Sequence, residues 1–140
     1  MNVTDFFNNV LHAKLANPVQ SWGAVDLSGR IFLRIWKDQI TPDGKKVRVG
    51  FIENKPPTRK HSMGVPERNR HIESIKKGTE AFGVICIAKN PHADPSIRRR
   101  IDDFSKRLAK LGVISEENGI IYADIVGYIA TDDVLNRKGD

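Results

Sequence analysis

The sequence predicts an α+β fold, in which two or three helices pack on a mixed or antiparallel sheet that can be barrel-like. The chain has 140 residues, of which 39% are hydrophobic and 29% charged, as in one ordinary globular domain. Segments with the two-residue apolar alternation of strands lie between segments with helical apolar spacing. The longest apolar runs are far too short to span a bilayer, so no membrane association is expected.

The first half of the chain predicts one helix followed by two strands. Thr4 to Leu15 places its apolar residues on one helical face, with Thr4 as the cap, and Asn17-Pro18 ends the helix. Arg30 to Trp36 and Lys46 to Ile52 both read as strands, and the turn signal Thr41-Pro42-Asp43-Gly44 lies between them. In the first, Ile31, Leu33 and Ile35 alternate with Phe32, Arg34 and Trp36; in the second, Val47, Val49 and Phe51 alternate with Lys46, Arg48 and Gly50. We therefore expect these two strands to pair as an antiparallel hairpin.

The second half predicts two helices and two strands. A short surface helix runs from Pro66 to Lys77 and ends at Gly78. The apolar run from Phe82 to Ala88 is typical of a central strand that is covered on both faces. Asp94 to Leu111 has an apolar stripe at helical spacing, and Gly119 to Ala130 predicts a last strand, with a bend at Gly127. The expected order is α-β-β-α-β-α-β.

We expect one domain over residues 1–131 and a polar tail or linker over 132–140. The N-terminal residues lack the charged and apolar regions of a signal peptide. Cys86 is the only cysteine, so an internal disulfide and a cysteine-based zinc site are excluded, and a buried core position is expected. These features are typical of a cytoplasmic protein. Nothing in the sequence indicates an oligomeric state.

The net charge of +6 is concentrated in one stretch of the chain. Lys37 to Lys77 contains eleven Lys/Arg and five Asp/Glu, and the remaining residues are neutral in sum. A focused basic surface attracts polyanions, so the expected partner is nucleic acid, DNA above all. A solvated surface that only keeps the protein soluble is the alternative interpretation.

Candidate binding residues lie in the loop after the second strand and at the start of the following helix. Arg and Lys neutralise phosphates, and binding residues are common in loops. Together with Arg48 on the second strand, the candidates are Lys55, Arg59, Lys60, His61, Arg68, Arg70 and His71.

Two tryptophans are candidates for stacking on a base or a flipped base. Trp22 lies in a loop of small residues, and Trp36 ends a strand on the same face as Arg34. Stacking on an aromatic side chain is worth about 1–3 kcal/mol per base. Both tryptophans could instead be core anchors, because Trp is mostly buried in proteins.

A second hypothesis is a small Mg²⁺-dependent nuclease of the PD-(D/E)xK type. Asp43 and Glu53 would hold Mg²⁺, and Lys55 would orient the attacking water. The predicted hairpin separates the two carboxylates, however, and Asp is expected in a Pro-Asp-Gly turn for conformational reasons alone. Outside this alternative, no cofactor is expected.

Ser21-Trp22-Gly23-Ala24, leading into the strand that ends at Trp36, and the segment from Gly64 to Glu73 carry a family resemblance. They resemble N-terminal recognition domains of bacterial HNH-type, modification-dependent restriction endonucleases. The resemblance covers the first two-thirds of the chain and implies a compact barrel-like core with an aromatic pocket for a modified base. The chain has no HNH motif, so it implies an attached or separate nuclease domain. The residues so implied are Trp22 and Trp36 in the pocket and Arg68, Arg70 and His71 on the DNA backbone.

The sequence thus predicts a DNA-binding module with no catalytic activity within this chain. The resemblance adds recognition of modified bases, as the specificity domain of a restriction endonuclease. The nuclease described above and a protein-interaction domain for an acidic partner are the alternatives.

Overall fold

A computed structural model of the chain describes residues 2–13, 15, 23–51, 64–88 and 101–136. They form an α+β fold around a mixed sheet of seven strands that is not closed into a barrel. None of the described helices is long and apolar enough to cross a membrane. The elements are α1 (Val3–Asp5), which continues as a π-helical segment (Phe6–Val10), β1 (Gly23–Val25), β2 (Ile31–Trp36), β3 (Lys46–Phe51), α2 (Gly64–Lys76), β4 (Ala81–Ala88), β5 (Ile101–Phe104), β6 (Arg107–Glu117), β7 (Ile120–Ala130) and α3 (Thr131–Asn136).

The strand order of the sheet is β1-β2-β4-β6-β7-β3, and β5 pairs with the second half of β4. Strands β2 and β4 are parallel, and all the other pairs are antiparallel. The register places Phe32 beside Phe82, and their rings stack with centroids 5.5 Å apart. The crossover between the two parallel strands contains β3 and α2, and therefore includes much of the basic segment.

Strands β2 and β4 contribute alternate residues to two hydrophobic cores, one on each face of the sheet. The N-terminal helical segment and α3 cover the first core, and α2 and β3 cover the second. The first core includes Phe6, Phe7, Leu11, Phe32, Phe82, Val84, Leu108 and Val134. The second core includes Ile31, Leu33, Ile35, Val47, Val49, Ile72, Ile75, Ile85 and Ile121. The predicted central strand, Phe82 to Ala88, is therefore confirmed as β4.

The N-terminal helix is shorter than predicted and has a different cap. Asn2, not Thr4, caps it, because the Asn2 side chain accepts a hydrogen bond from the Asp5 N–H at 2.8 Å. The helical segment ends near Leu11, since His12 adopts a left-handed conformation with φ of 54°. The helix predicted through Leu15 was thus too long.

The predicted hairpin between the second and third strands is wrong. Strand β2 pairs with β1 and β4, and β3 pairs with β7. Next to the predicted turn, the described chain forms an isolated antiparallel bridge between Ile40 and Val47. The physical reason is that β2 buries apolar residues on both of its faces, Phe32 on one and Ile31, Leu33 and Ile35 on the other, so it is more stable inside the sheet, between two other strands.

The predicted helix from Asp94 to Leu111 is also wrong over its described part. From Ile101 onward the chain forms β5 and the start of β6, while residues 94–100 lie outside the described residues. Leu108 belongs to the first core and Ala109 to the second. A strand buried on both faces has apolar residues at successive positions, and these can also satisfy a helical spacing.

The predicted boundary between the domain and the polar tail, at residue 131, lies too early in the chain. The described structure continues past residue 131 as α3, in which Val134 is fully buried in the first core. The helix predicted from Pro66 to Lys77 is confirmed as α2, and Gly78 follows it with φ of 103°.

Candidate nucleic-acid interface

Four segments that carry or flank the predicted binding residues meet at one edge of the sheet, here called the interface edge. It comprises the start of β1, the ends of β2 and β3, and the first half of α2. Gly23, which follows Trp22, lies opposite Leu33, near the end of β2 at Trp36. A Cβ atom added to Gly23 would lie 3.3 Å from Nδ1 of His71, which places α2 against the start of β1.

Arg68 joins β2 and β3 at this edge. Its Nη1 donates a hydrogen bond to the carbonyl oxygen of Val49 on β3, and its Nη2 donates one to the carbonyl oxygen of Arg34 on β2, each at 2.8 Å. Only 6% of Arg68 is exposed. The side chain predicted to contact the DNA backbone is therefore directed into the protein.

The Arg68 guanidinium remains charged although it is buried. Burial, and secondarily the positive charge of Arg34, lowers the pKa of Arg68 to about 10, whereas the neighbouring carboxylate of Glu67 acts in the opposite direction. Glu67 is itself buried, with 8% exposed. At neutral pH the edge thus contains a buried cation that hydrogen-bonds to two strand carbonyls.

His71 is half-buried beside the start of β1. Its Nδ1 has no hydrogen-bond partner among the described residues. Burial lowers the pKa of His71 to about 4, and the positive charges of Arg68 and Arg70 act in the same direction. The imidazole is therefore neutral at neutral pH, which favours hydrogen bonding or stacking over a charge contact with phosphate.

Arg70 lies on the solvent side of α2. Arg70 and its neighbour Asn69 are both exposed. Further along the helix, Nζ of Lys76 lies 3.6 Å from a Glu73 carboxylate oxygen and 3.7 Å from one of Glu116, so this charge is offset by acidic partners. Arg70, in the middle of α2, is therefore the exposed arginine of this helix.

Arg48 lies on the outer face of β3 beside Tyr122 of β7. Val47 and Val49 point into the second core, so Arg48 between them points away from it. Tyr122 is directly opposite Arg48 in the strand register, and both are half-buried. The structure therefore adds an aromatic side chain beside a predicted basic one, which the sequence could have indicated only if the pairing of β3 with β7 were known.

Trp36 packs partly against the first core. It is half-buried and lies opposite Cys86 in the register of β2 and β4. Part of its ring is therefore used in packing. The remaining predicted residues lie outside the described part of the chain, and they are Trp22, Lys55, Arg59, Lys60 and His61.

Asp43 of the nuclease alternative takes part in its own turn. One carboxylate oxygen accepts a hydrogen bond from the Thr41 hydroxyl at 2.6 Å and another from the Lys45 N–H at 3.0 Å. Both hydrogen bonds lower the pKa of Asp43, and the bond from Thr41 has the larger effect. Glu53 and Lys55 lie outside the described residues, among which no group of three His, Cys, Asp or Glu side chains could hold a metal ion.

Sequence reasoning missed a buried ion pair between Asp26 and Arg30. Nε of Arg30 lies 2.8 Å from an Asp26 carboxylate oxygen, and its Nη1 donates to the carbonyl oxygen of Val134 in α3 at 2.9 Å. The other Asp26 oxygen accepts from the N–H groups of Ser28 and Arg30, each at 2.9 Å. Asp-Leu-Ser-Gly is a recognisable turn sequence, but it does not reveal that the turn is buried.

Cys86 is a free, buried thiol, as expected from its apolar strand. Its Sγ donates a weak hydrogen bond to the carbonyl oxygen of Val84 at 3.5 Å. Burial raises the pKa of Cys86 to about 11, so the group is a thiol, not a thiolate, at neutral pH.

Comparisons with protein-family models, with curated proteins and with solved structures found no match. The interpretation of the interface edge therefore depends on its own residues and geometry.

Proposed function

We propose that the chain is a nucleic-acid-binding module whose ligand is DNA. One observation carries this proposal: segments that are far apart in the sequence, and that hold or flank the predicted binding residues, meet at a single edge of the sheet. The exposed Arg70 and the half-buried His71 lie on α2 at this edge. Strand β2 also ends there, at Trp36, whose side chain packs on the opposite face of the sheet from α2. Residues 52–63, with four of the predicted residues, connect the end of β3 to the start of α2, so both of their anchor points lie there.

The charge distribution supports the same ligand. Lys37 and Lys45 are exposed in the crossover that contains β3, and Arg48 lies beside Tyr122 on the outer face. Basic side chains close to aromatic ones suit a ligand that combines phosphates with stacking surfaces. DNA has both features, because its phosphates pair with basic side chains and its bases stack on aromatic ones.

Recognition of a modified base is the finer form of this proposal. Trp22 and Trp36 are the pocket residues implied by the sequence resemblance. His71, neutral at neutral pH, lies beside Gly23, the residue after Trp22, and is a further group able to hydrogen-bond a base edge on that face of the sheet. A base extruded from the duplex would stack on an aromatic ring and hydrogen-bond at its edge.

Binding to a duplex of about 20 base pairs, followed by fluorescence anisotropy between roughly 50 and 300 mM salt, tests the proposal. We expect the affinity to fall with salt and Arg70→Gln to reduce the salt slope by about 1, because one phosphate contact is lost. Arg107→Gln, an exposed position outside the basic segment, is the matched control and should keep the wild-type slope. Absence of wild-type binding at the lowest salt would refute the proposal.

The finer proposal is tested with plain and modified duplexes of the same sequence. We expect tighter binding to one modified duplex and loss of that preference in Trp22→Ala and Trp36→Ala. Equal binding to all duplexes would refute base recognition and leave DNA binding intact. Cleavage in Mg²⁺ that Glu53→Ala abolishes would instead favour the nuclease.

A further inference from the structure

The end strands of the sheet are β1 and β3, and the described part of β1 pairs only with the first half of β2. The Arg68 side chain connects the second half of β2 to β3. The carbonyl oxygen of Arg30 accepts the Asp26 N–H, so this edge of β2 faces β1. By the alternation of a strand, the carbonyl of Arg34 faces the same side, where it lies beyond Gly23, the first residue of β1. There, Arg68 supplies the donor.

The second acceptor lies on β3, an end strand of the sheet. Val49 falls at the irregularity in the pairing between β3 and β7, where the register shifts between Arg48 and Gly50. Its carbonyl oxygen accepts from Nη1 of Arg68 while that of Arg34 accepts from Nη2. One guanidinium therefore holds two strands that do not otherwise form a ladder with each other.

This geometry requires arginine. The planar guanidinium presents donors on separate nitrogen atoms in a fixed fork, so it can satisfy two carbonyls on different strands at once. A lysine ammonium is a compact point charge on a flexible stem and does not have this fork. A lysine is nevertheless a good phosphate ligand. Substitution of Arg68 by lysine should therefore preserve a direct phosphate contact but not the positioning of the two strands.

We infer that Arg68 is a positioning residue of the proposed interface: it fixes the ends of β2 and β3 relative to α2 and does not itself contact nucleic acid. This inference rests on the proposed function. The two hydrogen bonds fix the ends of β2 and β3 against the helix that carries the exposed Arg70 and the half-buried His71. The same contact fixes β2 just before Trp36.

Substitution by lysine and by methionine distinguishes positioning from direct contact. We expect Arg68→Lys and Arg68→Met to weaken DNA binding to a similar extent, about tenfold or more, because neither restores the fork. At the exposed Arg70, lysine should retain more binding than glutamine does, as a phosphate contact predicts. Arg68→Lys that binds like the wild type, beside a defective Arg68→Met, would overturn the inference. Circular dichroism and thermal melting establish whether each variant folds.

Arginine labelling of the wild-type protein with phenylglyoxal, read by mass spectrometry, gives an answer even if the variants do not fold. We expect Arg70 to be labelled in the free protein and protected by DNA, and Arg68 to remain unlabelled in both states. Rapid labelling of Arg68 that DNA suppresses would overturn the inference alone. Failure of the wild type to bind DNA would overturn the proposed function, and this inference with it.

Discussion

Three arginines have different environments in the folded chain. Arg30 and Arg68 are buried and donate hydrogen bonds to main-chain carbonyls, whereas Arg70 is exposed. All three count equally toward the net charge in the sequence. Only the exposed Arg70 presents its charge to solvent, because Arg30 is buried with Asp26 and Arg68 lies buried beside Glu67.

Replacing Asp26 by asparagine should strongly destabilise the protein. The Asp26 side chain is 0% exposed and that of Arg30 is 10% exposed, so the substitution leaves a buried cation without its counter-ion. We expect a loss of about 3–5 kcal/mol in the free energy of unfolding, measured by urea denaturation. Glu73→Gln is the control, because in the Glu73–Lys76 pair the side chains are 63% and 38% exposed, and it should change stability by less than about 0.5 kcal/mol. Equal losses in the two variants would contradict the expectation.

His71 should make the stability of the protein depend on pH below neutrality. Its folded-state pKa of about 4 lies below the ordinary value of 6.5, so the unfolded chain binds the proton more readily. The stabilising contribution of the neutral imidazole is fully present above pH 6.5 and is lost as the pH falls toward 4. His71→Gln should therefore flatten the pH dependence of urea unfolding in this range. An unchanged profile in His71→Gln would count against this role.

At the scale of elements, the sequence contains a signal for the hairpin of β6 and β7, but the helical apolar spacing before it led to the prediction of a helix. Asn118 and Gly119 join two strands of 11 residues each and adopt left-handed conformations, with φ of 52° and 80°. Asn-Gly is the strongest short-range hairpin signal, because both residues tolerate positive φ. On its own, the Asn-Gly signal predicts that a strand precedes Asn118. The apolar stripe outweighed it because a strand buried on both faces has no clean alternation.

Gly83 should be required in the middle of β4. A Cβ atom there would clash with Cδ1 of Ile35 on β2 and lie 3.1 Å from its Cγ1. We expect Gly83→Ala to lower the free energy of unfolding by about 1–3 kcal/mol through overpacking. Ile35→Val removes the clashing atom, so the double variant should be more stable than the sum of the single effects predicts. Strict additivity in chemical denaturation would show that the clash is relieved in another way.

At the scale of the whole molecule, the sheet needs cover on both faces. The N-terminal segment buries Phe6 and Phe7 against β2 and β4, and α2 buries Ile72 and Ile75 on the other face. Because the two cores share the central strands, loss of either cover exposes apolar residues of the same strands. The N-terminal segment is therefore part of the folded unit, although it is remote in sequence from the strands that it covers.

Phe7→Ala should destabilise the protein, because it removes part of the cover of the first core. Phe7 is 0% exposed, and truncation of a buried Phe to Ala costs about 3–5 kcal/mol. We expect a corresponding loss in the free energy of unfolding, together with a lower thermal midpoint. Asn9→Ala, at an exposed position of the same segment, should change stability by less than about 0.5 kcal/mol. A small effect of Phe7→Ala would mean that the segment contributes little to the first core.

The sequence by itself determined the fold class, the central strand β4, the helix α2 and the buried state of Cys86, because these depend on local periodicity, turn residues and apolar content. It also located the basic segment, since charge can be counted along a chain. The tertiary structure decided the partner of each strand, which depends on contacts between distant residues. Those contacts buried Arg68 and Arg30, placed Arg48 beside Tyr122, and brought the start of β1, the ends of β2 and β3 and the start of α2 to one edge. A side chain's neighbours are set by the packing of the whole chain, so charge counted along the sequence located a basic segment but could not separate the basic side chains that are exposed from those that are buried in the fold.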